Sequence, residues 1–344
     1  MRRKLHNAYL YPLTNRLSTG IYNPYLDNFM AALSGQLDFV NRNHPSNTGT
    51  LNILRFLPGI RFVFLNWIEN LPEKKAGLLQ TVFLFFLLHT KKIFGLKIIW
   101  TLHNKISHSA NKLFLKKMIF RQVLKNSDLV ITHSEEGIQY AENFLKGVSD
   151  KIFFFPHPIV PQQPLAQHTK EFDILIWGTL APYKGILEFL EYLYAANLQE
   201  RYKILIVGKS LDQEYFRKIK NLANSNITIR NQFISDKELK ELVSKSKIIL
   251  FTYSGNSVLS SGALIDSIAY HANVIGPEAG AFREMGKSGL IYTYKTFSQL
   301  PDIINNLIQS NNESEIDAIK KFIKEHSWNK FAEALEERLK VFHQ

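Results

Sequence analysis

Ser254-Gly-Asn-Ser-Val-Leu-Ser-Ser-Gly-Ala-Leu-Ile-Asp-Ser-Ile-Ala-Tyr270, followed by Asn273-Val-Ile-Gly-Pro-Glu-Ala-Gly280, is the stretch that decides the fold. An apolar run, Ile248–Phe251, leads into it, and Val274-Ile275 begins another. Strand, small-residue loop, helix and strand in that order are the repeat of a parallel α/β sheet. Ser260, Ser261 and Gly262 fall at the helix start, where free backbone amides and the positive end of the helix dipole favour an anion. Gly262 lets a ligand approach the backbone. Asp266, four residues on, shares that face one turn deeper. A diphosphate at the amides with a ribose at the carboxylate suits this layout. So does a plain polar cap in any α/β unit.

The same alternation extends outward in both directions. Upstream, Phe172–Gly178, Lys203–Gly208 and Ile227–Ile229 read as strands, separated by helices over Ile186–Ala195, Gln213–Ala223 and Asp236–Ser244. Four prolines between Pro156 and Pro164 mark an interdomain connection, because proline cannot continue a ladder or a helix. Before it, Asn7–Leu10, Leu37–Val40, Phe62–Asn66, Leu96–Leu102, Leu129–Thr132 and Ile152–Phe155 read as strands, with a long helix over Lys75–Phe94. Glu313–Phe342 is helical, in two pieces broken near His326-Ser327. The expected architecture is two Rossmann-like, doubly wound parallel-sheet domains facing across a cleft. The boundaries are 1–158, a linker 159–168, 169–325, and a C-terminal helix 326–344 returning to the first domain. Ligands in such domains sit at the carboxyl ends of the strands.

Composition narrows the chemistry. The 344 residues hold no cysteine, which excludes disulfides, thiolate catalysis and cysteine-held zinc. The net charge of +12 is concentrated. Between Pro72 and Lys125 there are eleven Lys/Arg and one acid, Glu73. The same region contains Val82–Leu88, an unbroken apolar run too short to span a bilayer. Lys112, Lys116, Lys117, Arg121 and Lys125 among aromatic residues form a surface for an anionic membrane face. Solvated core helices are the plainer reading. No nucleic-acid motif accompanies the charge, and no nucleic-acid partner is expected. The start, Met1–Leu10, has no apolar signal core, so the expected location is cytoplasmic, peripheral at the inner face of the membrane.

Polar clusters fall at strand ends. Gly178-Thr-Leu-Ala-Pro-Tyr-Lys-Gly185 puts Lys184 after the first strand of the second half, and Gly208-Lys-Ser210 puts Lys209 after its neighbour. Both ammonium groups can reach a phosphate, although most such lysines are merely solvated. There is no Walker sequence, no Asp-x-Asp pair and no Gly-x-Gly-x-x-Gly turn after the first strand. This favours a diphosphate held by cations and amides over one held by a metal, and it disfavours an NAD enzyme. No cofactor is expected. In the first half, Trp100–His108 places His103 at a strand end, with Asn104 and His108 beyond it. Each can bond a sugar hydroxyl or simply cap the strand. Gly20, Glu69 and Glu278 are further sugar or acceptor candidates at loops after strands.

Together, Thr101-Leu-His-Asn104, Gly178–Gly185 and Ser260–Gly262 through Asp266 to Ile275 resemble the GT-B nucleotide-sugar glycosyltransferases, above all bacterial enzymes extending lipid-linked surface polysaccharides. Asp266 matches the family's nucleotide-facing acid. Ala181 stands near the place of a frequent Arg, and Val258 near that of the family's first acid. The resemblance implies a nucleotide diphosphate sugar as donor and a lipid-linked saccharide as acceptor. It implies His103 lining the transferred sugar and Lys184 stabilising the leaving diphosphate. A sugar-nucleotide epimerase of the same architecture, or a degenerate membrane-associated binding subunit, are the competing expectations.

Overall fold

Alternating small loops and apolar runs build six parallel strands in the first half. These are β1 (His6–Tyr11), β2 (Leu37–Phe39), β3 (Phe62–Asn66), β4 (Lys97–Leu102), β5 (Leu129–Thr132) and β6 (Ile152–Phe154), ordered β2-β1-β3-β4-β5-β6. The computed structural model describes residues 6–14, 24–106, 112–162, 168–254, 259–309 and 313–343. Every residue of β3 is buried, as expected of a central strand covered on both faces.

The register sets Phe64 beside Leu10 and Ile99. The two sheet faces therefore sort cleanly. One carries Tyr9, Val63, Leu65, Ile98 and Trp100 against helices α2 (Gly77–Thr90) and α3 (Leu113–Asn126), with α4 (Glu135–Phe144) alongside. The other carries Leu10, Phe62, Phe64 and Ile131 against α1 (Tyr25–Ala32) and the apolar stripe Phe331, Leu335 and Leu339 of the C-terminal helix.

The second half also forms six parallel strands: β7 (Phe172–Trp177), β8 (Ile204–Gly208), β9 (Ile227–Asn231), β10 (Ser246–Leu250), β11 (Asn273–Pro277) and β12 (Tyr292–Tyr294). Their order is β12-β11-β10-β7-β8-β9. The chain starts at the centre, winds outward through β9, then returns to β10 on the other flank of β7. The switch point lies between β7 and β10, and in open α/β sheets that crevice is where ligands bind. Helices α5 (Ile186–Ala195), α6 (Gln213–Lys220), α7 (Asp236–Ser244), α8 (Gly262–Ala269), α9 (Gly280–Lys287) and α10 (Leu300–Gln309) cover this sheet, followed by α11 (Glu313–Glu325) and α12 (Trp328–Lys340).

The chain divides into two compact units. One holds the described residues of Met1–Pro158, Ser257–Ser260 and Trp328–Gln344; the other holds those of Ile159–Asn256 and Ser261–Ser327. Two helix-flanked parallel sheets with a helical C-terminal segment are the fold class expected from the sequence.

The long helix expected over Lys75–Phe94 is shorter, Gly77–Thr90. Ala76 turns left-handed before it, and at its end Leu96 donates back to the Lys91 carbonyl around Gly95. Gly20 and His108 lie outside the described residues.

Candidate functional site

At the switch point the segments after β7 and β10 are latched together. Gly185 has φ +67, and a β-carbon there would meet the Thr252 carbonyl oxygen at 2.2 Å. Only glycine permits that approach in that conformation. The Thr252 hydroxyl donates to the Lys184 carbonyl at 2.6 Å, and the Ser254 amide to that of Tyr183 at 3.3 Å. The latch fixes Lys184 at the end of a short 3-10 turn, Pro182–Lys184.

Lys184 is only 9% exposed. Its ammonium donates to the Tyr253 hydroxyl, and it lies 4.1 Å from the Tyr253 ring centroid and 5.6 Å from that of Tyr183. Among the described residues no carboxylate pairs with it. Burial lowers its pKa, and Tyr183 pulls the other way. Taking an ammonium out of water without a counter-ion is costly, and two aromatic faces offset only part of that. An anion would supply the rest.

The remaining donors converge on the same point. The Tyr253 and Ser261 oxygens are 3.1 Å apart, and burial raises the tyrosine to about 12, so it stays protonated. Ser261 caps α8, its hydroxyl accepting from the Leu264 amide at 3.3 Å. Next comes Gly262, exposed, where an added β-carbon would find nothing within 4 Å. Asp266 is half-buried one turn on, and its carboxylate has no hydrogen bond or ion pair among the described residues. Burial, reinforced by Asp236, raises its carboxyl to about 7. The structure thus links Lys184 to Ser261 through Tyr253, within one unit, and puts Gly262 and Asp266 on the helix that Ser261 caps.

Ser260, Lys209 and Glu278 share no hydrogen bond or ion pair with Lys184 among the described residues. Ser260 immediately precedes the Ser261 cap of α8. Lys209 follows β8 with an exposed side chain, and its backbone carbonyl accepts from the Leu180 amide at 3.1 Å. Glu278, after β11, lies 3.7 Å from Lys295 at the surface. Tyr183 and Tyr253, which hold the ammonium, were not singled out from the sequence. The signal was their place at the ends of β7 and β10.

In the first unit, His103 follows β4 and is buried. Its Nε2 is 2.9 Å from Asn66 Oδ1, while the Asn66 amide donates to the Tyr11 carbonyl at 3.2 Å. The acceptor role of Oδ1 makes Nε2 the protonated nitrogen and leaves Nδ1 as an acceptor. The Trp67 ring stacks on the imidazole at 4.3 Å between centroids and 13° between planes, placed there by a left-handed backbone at φ 47. Tyr25 meets it edge-on at 4.7 Å.

Two further histidines join this cluster. His133 Nδ1 donates to the Phe155 carbonyl at 2.8 Å, so its Nε2 accepts from the Tyr25 hydroxyl at 2.7 Å. His157 packs 5.2 Å from His133. Burial lowers all three, His133 to about 3 and His157 to about 4, and repulsion from neighbouring histidines adds to it at His103 and His133. All three imidazoles are neutral at pH 7. Asn104, one residue past His103, is half-buried.

Glu69, in the 3-10 turn after β3, is 6% exposed, and burial raises it to about 7 against the pull of Lys116. Lys116 itself contradicts the expectation of a membrane-surface residue. It is 2% exposed and bonds Glu73 at 2.6 Å, because its position on α3 faces the sheet. Lys112 directs its ammonium to the Pro72 carbonyl at 2.6 Å. Lys117, Arg121 and Lys125 do point outward, in line with exposed Phe114. Beside them α2 has no Lys, Arg, Asp or Glu, and its outer face exposes Leu78, Leu79, Val82 and Phe86, continued by Ile93. Among the described residues no helix is long and apolar enough to cross a membrane.

No protein-family model and no curated protein matches the sequence. Solved structures do match its fold. Anabaena Alr3699/HepE in complex with UDP superposes with TM-score 0.71 at 12% identity, over 98% of this chain and 100% of that one. A glycosyltransferase from Rickettsia africae ESF-5 gives 0.64 at 15% identity, over 98% of each chain. The E. coli trehalose-6-phosphate protein bound with UDP-2-fluoro glucose gives 0.62 at 14% identity, over 93% of this chain and 86% of that one. The chain has the two-domain GT-B fold of these proteins.

Proposed function

We propose, from that shared fold, that the chain is a glycosyltransferase moving a sugar from a uridine diphosphate sugar to a lipid-linked saccharide, in cell-surface polysaccharide synthesis. The observation that carries the reading is the buried Lys184 ammonium, unpaired with any carboxylate, at the switch point beside the start of α8. When the bond from the sugar's anomeric carbon to the diphosphate breaks, negative charge collects on the leaving oxygen. A preset, desolvated ammonium stabilises that charge more than it stabilises the intact donor. The Ser261 hydroxyl and the amides at Gly262 take the remaining phosphate oxygens, and Asp266 accepts the ribose hydroxyls. Lys209 is an outer cation for the same diphosphate. The absence of an Asp-x-Asp pair supports a metal-independent grip.

In the first unit, His103 receives a sugar hydroxyl at Nδ1, held in that tautomer by Asn66 and in its ring plane by Trp67. Asn104, Glu69 and Glu278 are accessory sugar contacts. The apolar outer face of α2, beside Lys117, Arg121 and Lys125, supports peripheral contact with an anionic membrane that carries the acceptor. The test is transfer of radiolabelled sugar from a panel of nucleotide sugars to a lipid extract. The reading predicts label in the lipid phase only with uridine diphosphate donors, abolished by Lys184→Ala. Donor epimerisation without acceptor, or donor binding with no turnover on any acceptor, would replace it.

A further inference from the structure

A second cationic site lies on the first unit, at the opposite edge of its sheet from His103 and Glu69. Helix α3 runs back antiparallel to the strands, so its last turns reach the amino-terminal edge. There Arg121 and Lys125, one turn apart, join the Leu145–Lys151 connection in lining a cavity of 370 Å³. That size suits a small ligand. Lys146 and Lys151 complete a set of four cations, and no lining residue is acidic. Glu142, just outside the lining, accepts from the Gly147 and Val148 amides and the Ser149 hydroxyl at 2.8, 3.1 and 2.9 Å.

Arg121, Lys125 and Lys146 have no ion pair among the described residues. Lys151 is held in place by the Lys125 and Ser127 carbonyls at 3.0 and 3.3 Å, which keeps one N–H free. Its pKa is lowered by burial and by the neighbouring Lys91. Glu142 offsets Lys146 and Asp128 offsets Lys151 only from outside the lining, so the four cations leave the cavity electropositive and suited to an anion. Lys91, at the start of the loop that carries the exposed Ile93, bonds the Asn126 carbonyl at 2.6 Å, one residue from the Ser127 carbonyl that holds Lys151, and so links the end of α2 to the cavity.

We propose that this cavity binds a phosphate ester, the headgroup phosphate of an anionic membrane lipid. The site rests on the membrane contact proposed above, not on the transfer reaction. An exposed phosphomonoester offers three acceptor oxygens to the Arg121 fork and the lysine ammonium groups. The apolar face of α2 then lies against the acyl boundary of the same bilayer.

The test is flotation of the full chain with phosphatidylcholine vesicles made equally anionic by phosphatidate or by oleate. It is run alongside titration with soluble glycerol 3-phosphate, and all arms are repeated with Arg121→Gln/Lys146→Gln. Both side chains are exposed, so the variant should keep its thermal midpoint and its UDP affinity. The expected result is at least tenfold tighter binding to phosphatidate vesicles, lost by about thirtyfold in the variant. Saturable glycerol 3-phosphate binding that the variant abolishes, with no vesicle binding, supports the cavity but assigns a free ester and removes the membrane contact. Equal behaviour of both proteins toward both probes overturns the site, and vesicle binding that persists would leave the membrane contact standing.

Discussion

Replacing Lys184 by methionine separates its proposed role from its structural one. The ammonium is desolvated, backed by Tyr183 and Tyr253, and without a carboxylate partner. An apolar side chain of similar length removes the desolvation cost and keeps the packing. Replacing buried charge by well-packed apolar atoms is often stabilising by about 1–4 kcal/mol. A gain of even 1 kcal/mol shifts the melting midpoint by about 2–4 °C in domains of 150–250 residues. Transfer should move the other way. Losing one preorganised donor at a developing oxyanion costs about 10²–10³ in kcat, or roughly 3–4 kcal/mol. The assay pairs initial rates of sugar transfer with scanning calorimetry of the free protein. The expected Lys184→Met protein is at least as stable as the parent and about a hundredfold or more slower. A variant that melts lower yet transfers normally would mean that the lysine serves the fold, and the reasoning would fail.

Four further outcomes follow from the same geometry. Gly262→Ala meets no protein atom within 4 Å; it should leave the midpoint unchanged and weaken UDP binding at least tenfold, and normal affinity would take that amide out of the site. Gly208→Ala puts a β-carbon 1.6 Å from the Gly178 carbonyl oxygen; unfolding in urea should show a loss above about 3 kcal/mol. The three histidines, lowered by burial, refuse protons that the unfolded chain takes near pH 6.5, so their stability is present above that pH and lost as pH falls toward 4 and 3. Glu69, raised to about 7, acts with the opposite sign; Glu69→Gln should therefore steepen the acid loss by up to about 1.4 kcal/mol per pH unit, and parallel curves would show that the carboxyl is not buried. Leu79→Asp/Phe86→Asp changes exposed positions only; it should abolish vesicle flotation at an unchanged midpoint, and undiminished flotation would remove α2 from the membrane contact.

Much of this is legible in the sequence. Strands buried on both faces are continuous apolar runs, so Phe62–Asn66 and Ile248–Phe251 announced a parallel sheet. The Ser261 cap and Gly262 start were readable because capping is local chemistry. The partners of Lys184 were not. Tyr253 is 69 residues away, and only the return of β10 beside β7 brings it there. For the same reason the His103, His133 and His157 cluster was invisible, and Lys116 was misplaced on the surface. Charge density shows where cations are frequent, while the helix phase decides which one faces the sheet.

The most direct measurement is the affinity of the second unit's crevice for uridine, UMP and UDP by calorimetric titration of the full chain. If a diphosphate is gripped by Lys184 and the start of α8, affinity should climb with each phosphate, and the UDP increment should shrink as pH rises through the lysine's lowered pKa. Equal affinities for uridine and UDP, or an increment that ignores pH, would contradict the account.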